Sequence, residues 1–160
     1  MNAAVARSAE RLGLLTGRSA ERATAAFNAK LAALRERYRG RREVRVFYQV
    51  WNDPLMTLGG RHVVSEGIAL CGGRNVFAEL APIAPRVSTE AVLAADPEVI
   101  ITAEPGARPS GVLATWQRFG RITAVRRNQL VTLDADRINR HGPRIVDEIA
   151  ILCEAIDRAR

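Results

Sequence analysis

Two histidines, His62 and His141, and two cysteines, Cys71 and Cys153, are the only side chains of those types in the 160 residues. The histidines lie far apart with no ligand spacing around either, so a metal centre built by this chain alone is not expected. His62 falls in the first turn of a predicted helix and reads as a solvated surface residue. The acidic side chains are dispersed, and no pair of them stands out for acid/base work. No G-x-G-x-x-G opens a helix after a strand, and neither G-x-x-x-x-G-K-[ST] nor G-x-S-x-G occurs. Leu58-Gly59-Gly60 and Cys71-Gly72-Gly73 read as a turn and a helix stop. The remaining chemistry is recognition. One loop offers Trp51, Asn52, Leu55 and Met56, and another offers Asp134, Asp136, Arg137, Asn139, Arg140 and His141. Apolar contact area plus a few hydrogen-bonding groups is what a ligand pocket requires.

The elements that would position these loops follow from periodicity. Phe27, Leu31, Leu34 and Tyr38 recur at four, three, four between Ser19 and Arg39, which predicts one long amphipathic helix with Ser19 as its cap. Upstream, the segment around Leu12, Leu14 and Leu15 ends at Gly17, suited to a left-handed helix stop. Val44, Val46, Tyr48 and Val50 alternate, with Phe47 on the other face, predicting a strand buried on both sides. A polar, Pro-containing loop over 51–60 follows, then a helix with Val64, Ile68 and Cys71 on one face, then a long irregular segment containing Pro82 and Pro85. Ser88-Thr89-Glu90 opens a short helix that Asp96-Pro97 ends. Val99-Ile100-Ile101 and Leu130 to Leu133 predict two more strands, Ser110 to Phe119 a helix between them, and Pro143 the start of a last helix carrying Ile145, Ile149, Leu152 and Ile156.

Strands alternating with helices give an α/β fold: a mostly parallel sheet with helices on both faces, joined by right-handed crossovers. In such sheets ligands bind beyond the carboxyl ends of the strands. The loops 51–60, 103–109 and 134–142 all occupy that position and are expected to face one cavity.

The formal charge of +7 raises nucleic acid or an anionic surface as partners. Its distribution argues against both. Residues 1–43 carry ten basic and four acidic side chains, whereas 44–160 carry fourteen and thirteen. No basic stripe interleaved with aromatics marks the body. No apolar run reaches the ~18 to 20 residues of a membrane span, so no membrane insertion is expected. The opening MNAAVARSAERLGLLTG has no hydrophobic core region or small-residue cleavage site and does not read as a secretory signal peptide.

Four stretches carry a resemblance. Arg45-Val-Phe-Tyr-Gln-Val-Trp-Asn-Asp-Pro-Leu-Met-Thr-Leu-Gly59, Leu70-Cys-Gly-Gly-Arg-Asn-Val-Phe77, Val87-Ser-Thr-Glu90 and Ala95-Asp-Pro-Glu-Val-Ile-Ile101 resemble, in order and spacing, periplasmic cobalamin-binding proteins of ABC transporters. The resemblance covers residues 12–158. It implies a Rossmann-like C-terminal lobe over 44–160, preceded by an interlobe linking helix and hinge over 19–43. Residues 1–18 would be a remnant of an N-terminal lobe otherwise missing.

By that resemblance the chain is a binding protein and not an enzyme. It has no cofactor, takes a corrinoid such as vitamin B12 as ligand, and acts as a monomer that docks on an ABC permease dimer; the full-length protein works in the periplasm. Haem or a ferric siderophore is the alternative ligand, since the C-G-G-x-N-[VI]-F and D-P-[ED]-x-I-[IV] motifs recur across the wider class. A cytoplasmic α/β enzyme or regulatory domain is the alternative of another kind. Position by position, the resemblance implies polar ligand contacts from Asp136 and Arg140 and a docking role for Glu90. It also implies a disulfide between Cys71 and Cys153, which by themselves could equally be two buried thiols. Trp51 and Met56 are expected as the apolar floor beneath the ligand. Met56 stands where the family often has an aromatic residue, and Ala84 where it often has tryptophan.

Overall fold

The computed structural model describes residues 21–109, 111–139, 142 and 145–160. Ser19, Gly17 and the expected remnant over 1–18 lie outside these, as do Arg140, His141 and Pro143. In chain order the elements are α1 (Glu21–Tyr38), β1 (Val44–Gln49), β2 (Trp51–Asn52), β3 (Leu55–Met56), α2 (Val63–Leu70), β4 (Gly73–Asn75), α3 (Thr89–Ala95) and β5 (Val99–Glu104). Then come α4 (Thr123–Arg126), β6 (Leu130–Asp134), α5 (Ala135–Ile138) and α6 (Ile145–Arg158), with 3-10 turns at Pro105–Ala107 and Leu113–Trp116.

β4, β1, β5 and β6 form one sheet in that order, every pair parallel, with Val46 beside Val99 and Ile101 beside Val131. Alternation along β1 divides the core in two. Val44, Val46 and Tyr48 join Val99, Ile101 and Leu133 beneath α1, α2 and α6. Phe47 and Ile100 face the opposite way, onto Val92 of α3, Trp116, Ile122 and Ala124. There the Phe47 ring meets Phe77 and Trp116 edge-on at 5.8 and 5.6 Å. Each such large apolar side chain stabilises the fold by roughly 1.5–3 kcal/mol.

α2 and α6 pack closely because Gly67 has no side chain: a Cβ there would stand 2.4 Å from Ile149 Cδ1. The contact places Cys71, the last cap of α2, against Cys153 of α6, and the two form a disulfide with Cα atoms 4.8 Å apart. At the amino-terminal edge of the sheet, Glu98 is buried and satisfied. It accepts from the Arg45 amide at 3.0 Å and the Arg42 guanidinium at 2.8 Å. Burial raises its carboxyl pKa, but these hydrogen bonds and the arginine charges outweigh that and hold it below the usual carboxylate value.

Three sequence expectations need correction, and one strand has no counterpart among them. Val50 is exposed and lies beyond β1, because the chain turns at once into the β2–β3 hairpin, whose Asp53-Pro54 connection is no common hairpin signal. The expected helix from Ser110 to Phe119 is only a single 3-10 turn, Leu113–Trp116, entered through Gly111 at φ +81°. His62 is the N-cap of α2, its Nδ1 accepting from the Val64 amide, and does not sit inside the first turn. Gly73-Arg74-Asn75 is an edge strand, with no apolar pattern to announce it. The segment after it is long and irregular, as expected, and is held by backbone hydrogen bonds to 55–60.

The disulfide spans 82 residues of chain, long enough that closing the loop removes roughly 4–5 kcal/mol of unfolded-state entropy in the chain-entropy account. Cys71→Ser/Cys153→Ser should therefore unfold at lower denaturant, by about 2–5 kcal/mol in chemical denaturation. An unchanged midpoint, or two titratable thiols in the oxidised wild-type chain, would contradict the assignment.

Candidate functional site

The carboxyl ends of the four strands carry two backbone-stitched platforms. The first is built over β4 and β1. Trp51 pairs with Met56 across the hairpin, and Met56 in turn bridges Arg86. The Val87 amide donates to Leu55 O, the Thr57 amide to Pro85 O, the Gly59 amide to Ile83 O and the Gly60 amide to Ala78 O, all within 3.0 Å. The hairpin and residues 76–87 therefore run as one ribbon despite having no regular strand between them. Gly59 and Gly60 permit this, since a Cβ on either would stand 2.2 or 2.6 Å from the carbonyls of Pro82 and Ala78. Two buried hydrogen bonds of Asn75 fix the ribbon's root, to Leu58 O at 2.6 Å and Ser65 Oγ at 2.9 Å.

The second platform stands over β5 and β6. Asp134 ends β6 and caps α5, its Oδ1 accepting from the Asp136 amide at 3.0 Å and from the Gly106 amide at 3.2 Å. The turn after β5 and the turn after β6 are thereby joined. Between the platforms, buried Gln49 accepts from Trp116 Nε1 at 2.7 Å and donates to Asn52 Oδ1 at 3.2 Å. Thr102 Oγ1 donates to Gln49 O at 3.0 Å. Sequence reasoning passed over Gln49; the available signal was a polar side chain at the end of an otherwise apolar strand.

Of the residues expected to meet ligand, Trp51 is 61% exposed, with its Nε1 spent on Asp53 O at 2.9 Å. Met56 is half-buried and Asp136 exposed, each on its own platform. Arg140 lies outside the described residues. A cavity of about 410 Å³ opens elsewhere, between the hairpin tip (Asn52, Asp53, Leu55), Thr89, and the segment carrying Trp116 and Arg118. The first loop contributes to this cavity and the third does not, so it is not the one shared by three loops that the sequence suggested. Among the described residues, no group of three His, Cys, Asp or Glu side chains could hold a metal ion. No helix there is long and apolar enough to cross a membrane.

Glu90 projects from the first turn of α3, where Ser88 Oγ accepts from the Ala91 amide. Its own backbone amide and the Ser88 hydroxyl hold its carboxyl below the ordinary value, so it is charged at neutral pH.

A sequence profile of the periplasmic binding proteins matches residues 4–137. The chain belongs to that family. It is 35% identical over 140 residues to the vitamin B12-binding protein of Vibrio parahaemolyticus, covering 88% of this chain and 50% of that one. To the vitamin B12-binding protein of Vibrio cholerae it is 37% identical over 127 residues, covering 79% and 45%. The crystal structure of the periplasmic vitamin B12 binding protein BtuF of Vibrio cholerae superposes with a TM-score of 0.82 at 31% identity, over 97% of this chain and 61% of that one. The heme-binding protein BhuT matches in fold, with a TM-score of 0.84 at 22% identity over 100% and 64%. The chain spans about half the length of the curated relatives it matches. The α/β architecture with a parallel sheet and flanking helices is thus the one this family of binding proteins shares.

Proposed function

We propose that this chain forms the C-terminal ligand-binding lobe of a monomeric periplasmic protein, which captures a corrinoid such as vitamin B12 and delivers it to the permease dimer of an ABC importer. It catalyses no reaction. Residues 19–43 link the lobes in this reading, 44–160 are the second lobe, and 1–18 belong to the first. The observation that carries it is that Trp51 and Ile83, 61% and 59% accessible, both stand exposed on one hydrogen-bonded ribbon at the carboxyl edge of the sheet. Large apolar groups held in water on a stitched scaffold suit the broad face of a macrocycle, with Met56 adapting beneath it. Asp136, from the neighbouring platform, serves the amide fringe as acceptor, and Arg140, four residues on in the sequence, as donor. The identities to vitamin B12-binding relatives favour a corrinoid over haem.

Equilibrium dialysis distinguishes the ligands. The chain should retain cyanocobalamin, more weakly than relatives of about twice its length because the contact area falls while the costs of association do not. Trp51→Ala should weaken retention at least about tenfold, the loss expected for an aromatic anchor. Retention of haemin without cyanocobalamin, or of neither, contradicts the proposal.

Glu90 is the docking residue in this reading: exposed, charged and presented by a short capped helix. Such a carboxylate does little for folding but sets register against a partner's arginines. Within the intact importer, Glu90→Arg should leave corrinoid affinity within about twofold and abolish uptake, since like charges at a contact repel. Normal uptake with the charge reversed would exclude the role.

A further inference from the structure

α6 carries a glutamate where its apolar stripe calls for a hydrophobe. Ile145, Ile149, Leu152 and Ile156 face the core, and Glu148 stands among them at 1% exposure. Removing a carboxylate from water costs several kcal/mol unless ion pairs and hydrogen bonds offset it. Glu148 has little such compensation. Its Oε1 accepts from the Asp134 amide at 2.8 Å, while its Oε2 has no hydrogen-bond partner among the described residues. The adjacent polar group shares the defect. Tyr48 OH, at the carboxyl end of β1, is also buried without a partner among the described residues. Burial, and then the charge of Glu148, push this phenol well above its usual pKa, so it stays neutral beside the carboxylate.

A leucine at position 148 would serve packing better, so fold stability does not account for the residue. Its position near the start of α6 offers a small favourable contact with the helix dipole, worth up to about 1 kcal/mol at exposed sites, which is less than burial takes away. The bond to Asp134 is different in kind. Asp134 is the residue whose carboxylate organises the second platform by accepting from the Asp136 and Gly106 amides. Violations of core chemistry directly beneath a recognition surface mark function.

We propose that Glu148 is a positioning residue for the ligand turn: its buried carboxylate fixes the Asp134 amide, and through the Asp134 side chain it sets where Asp136 and the 105–107 turn stand. The role in ligand affinity rests on the corrinoid reading; the role in ordering the turn does not.

Residue-resolved amide hydrogen exchange in the 160-residue chain tests it, alongside cyanocobalamin dialysis. In Glu148→Leu the Asp134, Asp136 and Gly106 amides should exchange at least about tenfold faster, as loss of a hydrogen bond to a charged group requires, while Leu152 and Cys153 in α6 keep their protection. Cyanocobalamin affinity should fall by about the same factor. Glu148→Gln keeps an acceptor oxygen and should restore both to within about threefold of wild type. Wild-type protection at Asp134 and Asp136 in Glu148→Leu overturns the proposal. So does uniform loss that includes Leu152 and Cys153, or a glutamine variant as impaired as the leucine one. If Glu148→Leu does not fold, Glu148→Ala carries the same comparison. A wild-type chain that binds no cyanocobalamin sinks the ligand reading, while the exchange data still decide the role of Glu148.

Discussion

Everything at the functional edge depends on β1 being buried on both faces and paired on both sides. Its register with β4 and β5 fixes which end of the sheet is which, and its alternation assigns Tyr48 to one core and Phe47 to the other. A one-residue slip would invert both assignments. Where β1 ends, Gln49 holds Trp116 and Asn52 together and the chain leaves the core as the exposed hairpin. The abrupt change from buried Gln49 to exposed Val50 and Trp51 is the boundary between scaffold and surface.

The two ends of the sheet are treated differently. At the amino end, the buried carboxylate of Glu98 is surrounded by Arg42, Arg45 and Arg127, and Ala159, just beyond α6, adds its carbonyl to Arg42 and Arg127. At the carboxyl end, Glu148 and Tyr48 keep polar atoms without a partner among the described residues, and large apolar groups face water. The platforms above it are ordered by backbone bonds between loops, which makes them rigid without regular secondary structure.

The sequence carried the scaffold because the scaffold is periodic. α1 was visible in the four-three-four spacing that ends at Tyr38, and β5 in Val99-Ile100-Ile101. α3 was visible through the Ser88 cap that the structure confirms. Its failures share one cause, which is that tertiary contacts decided the outcome. β4 exists because Gly73 to Asn75 lie beside Val44 to Val46, and nothing in Gly-Arg-Asn encodes that. The 113–116 turn stops short of a helix where Trp116 is drawn into the Phe47 core and onto Gln49. The bonds between 55–60 and 78–87 join segments with no local signal in either. For the candidate site, the loops were placed correctly by topology, yet their partition into two platforms was not, because it rests on Asp134 and Asn75 acting at a distance. Glu148 did leave a trace: a charge interrupting the apolar stripe of an otherwise regular helix.

The central claim is that recognition occurs at the two platforms and not in the cavity beside Trp116. Amide chemical shifts recorded during addition of cyanocobalamin locate the contact directly. The account predicts saturable shifts at Trp51, Met56, Ile83 and Asp136, with Arg45 and Glu98 at the opposite edge unmoved. Shifts confined to Thr89, Thr115 and Arg118 around the cavity, or none at either platform, would contradict it.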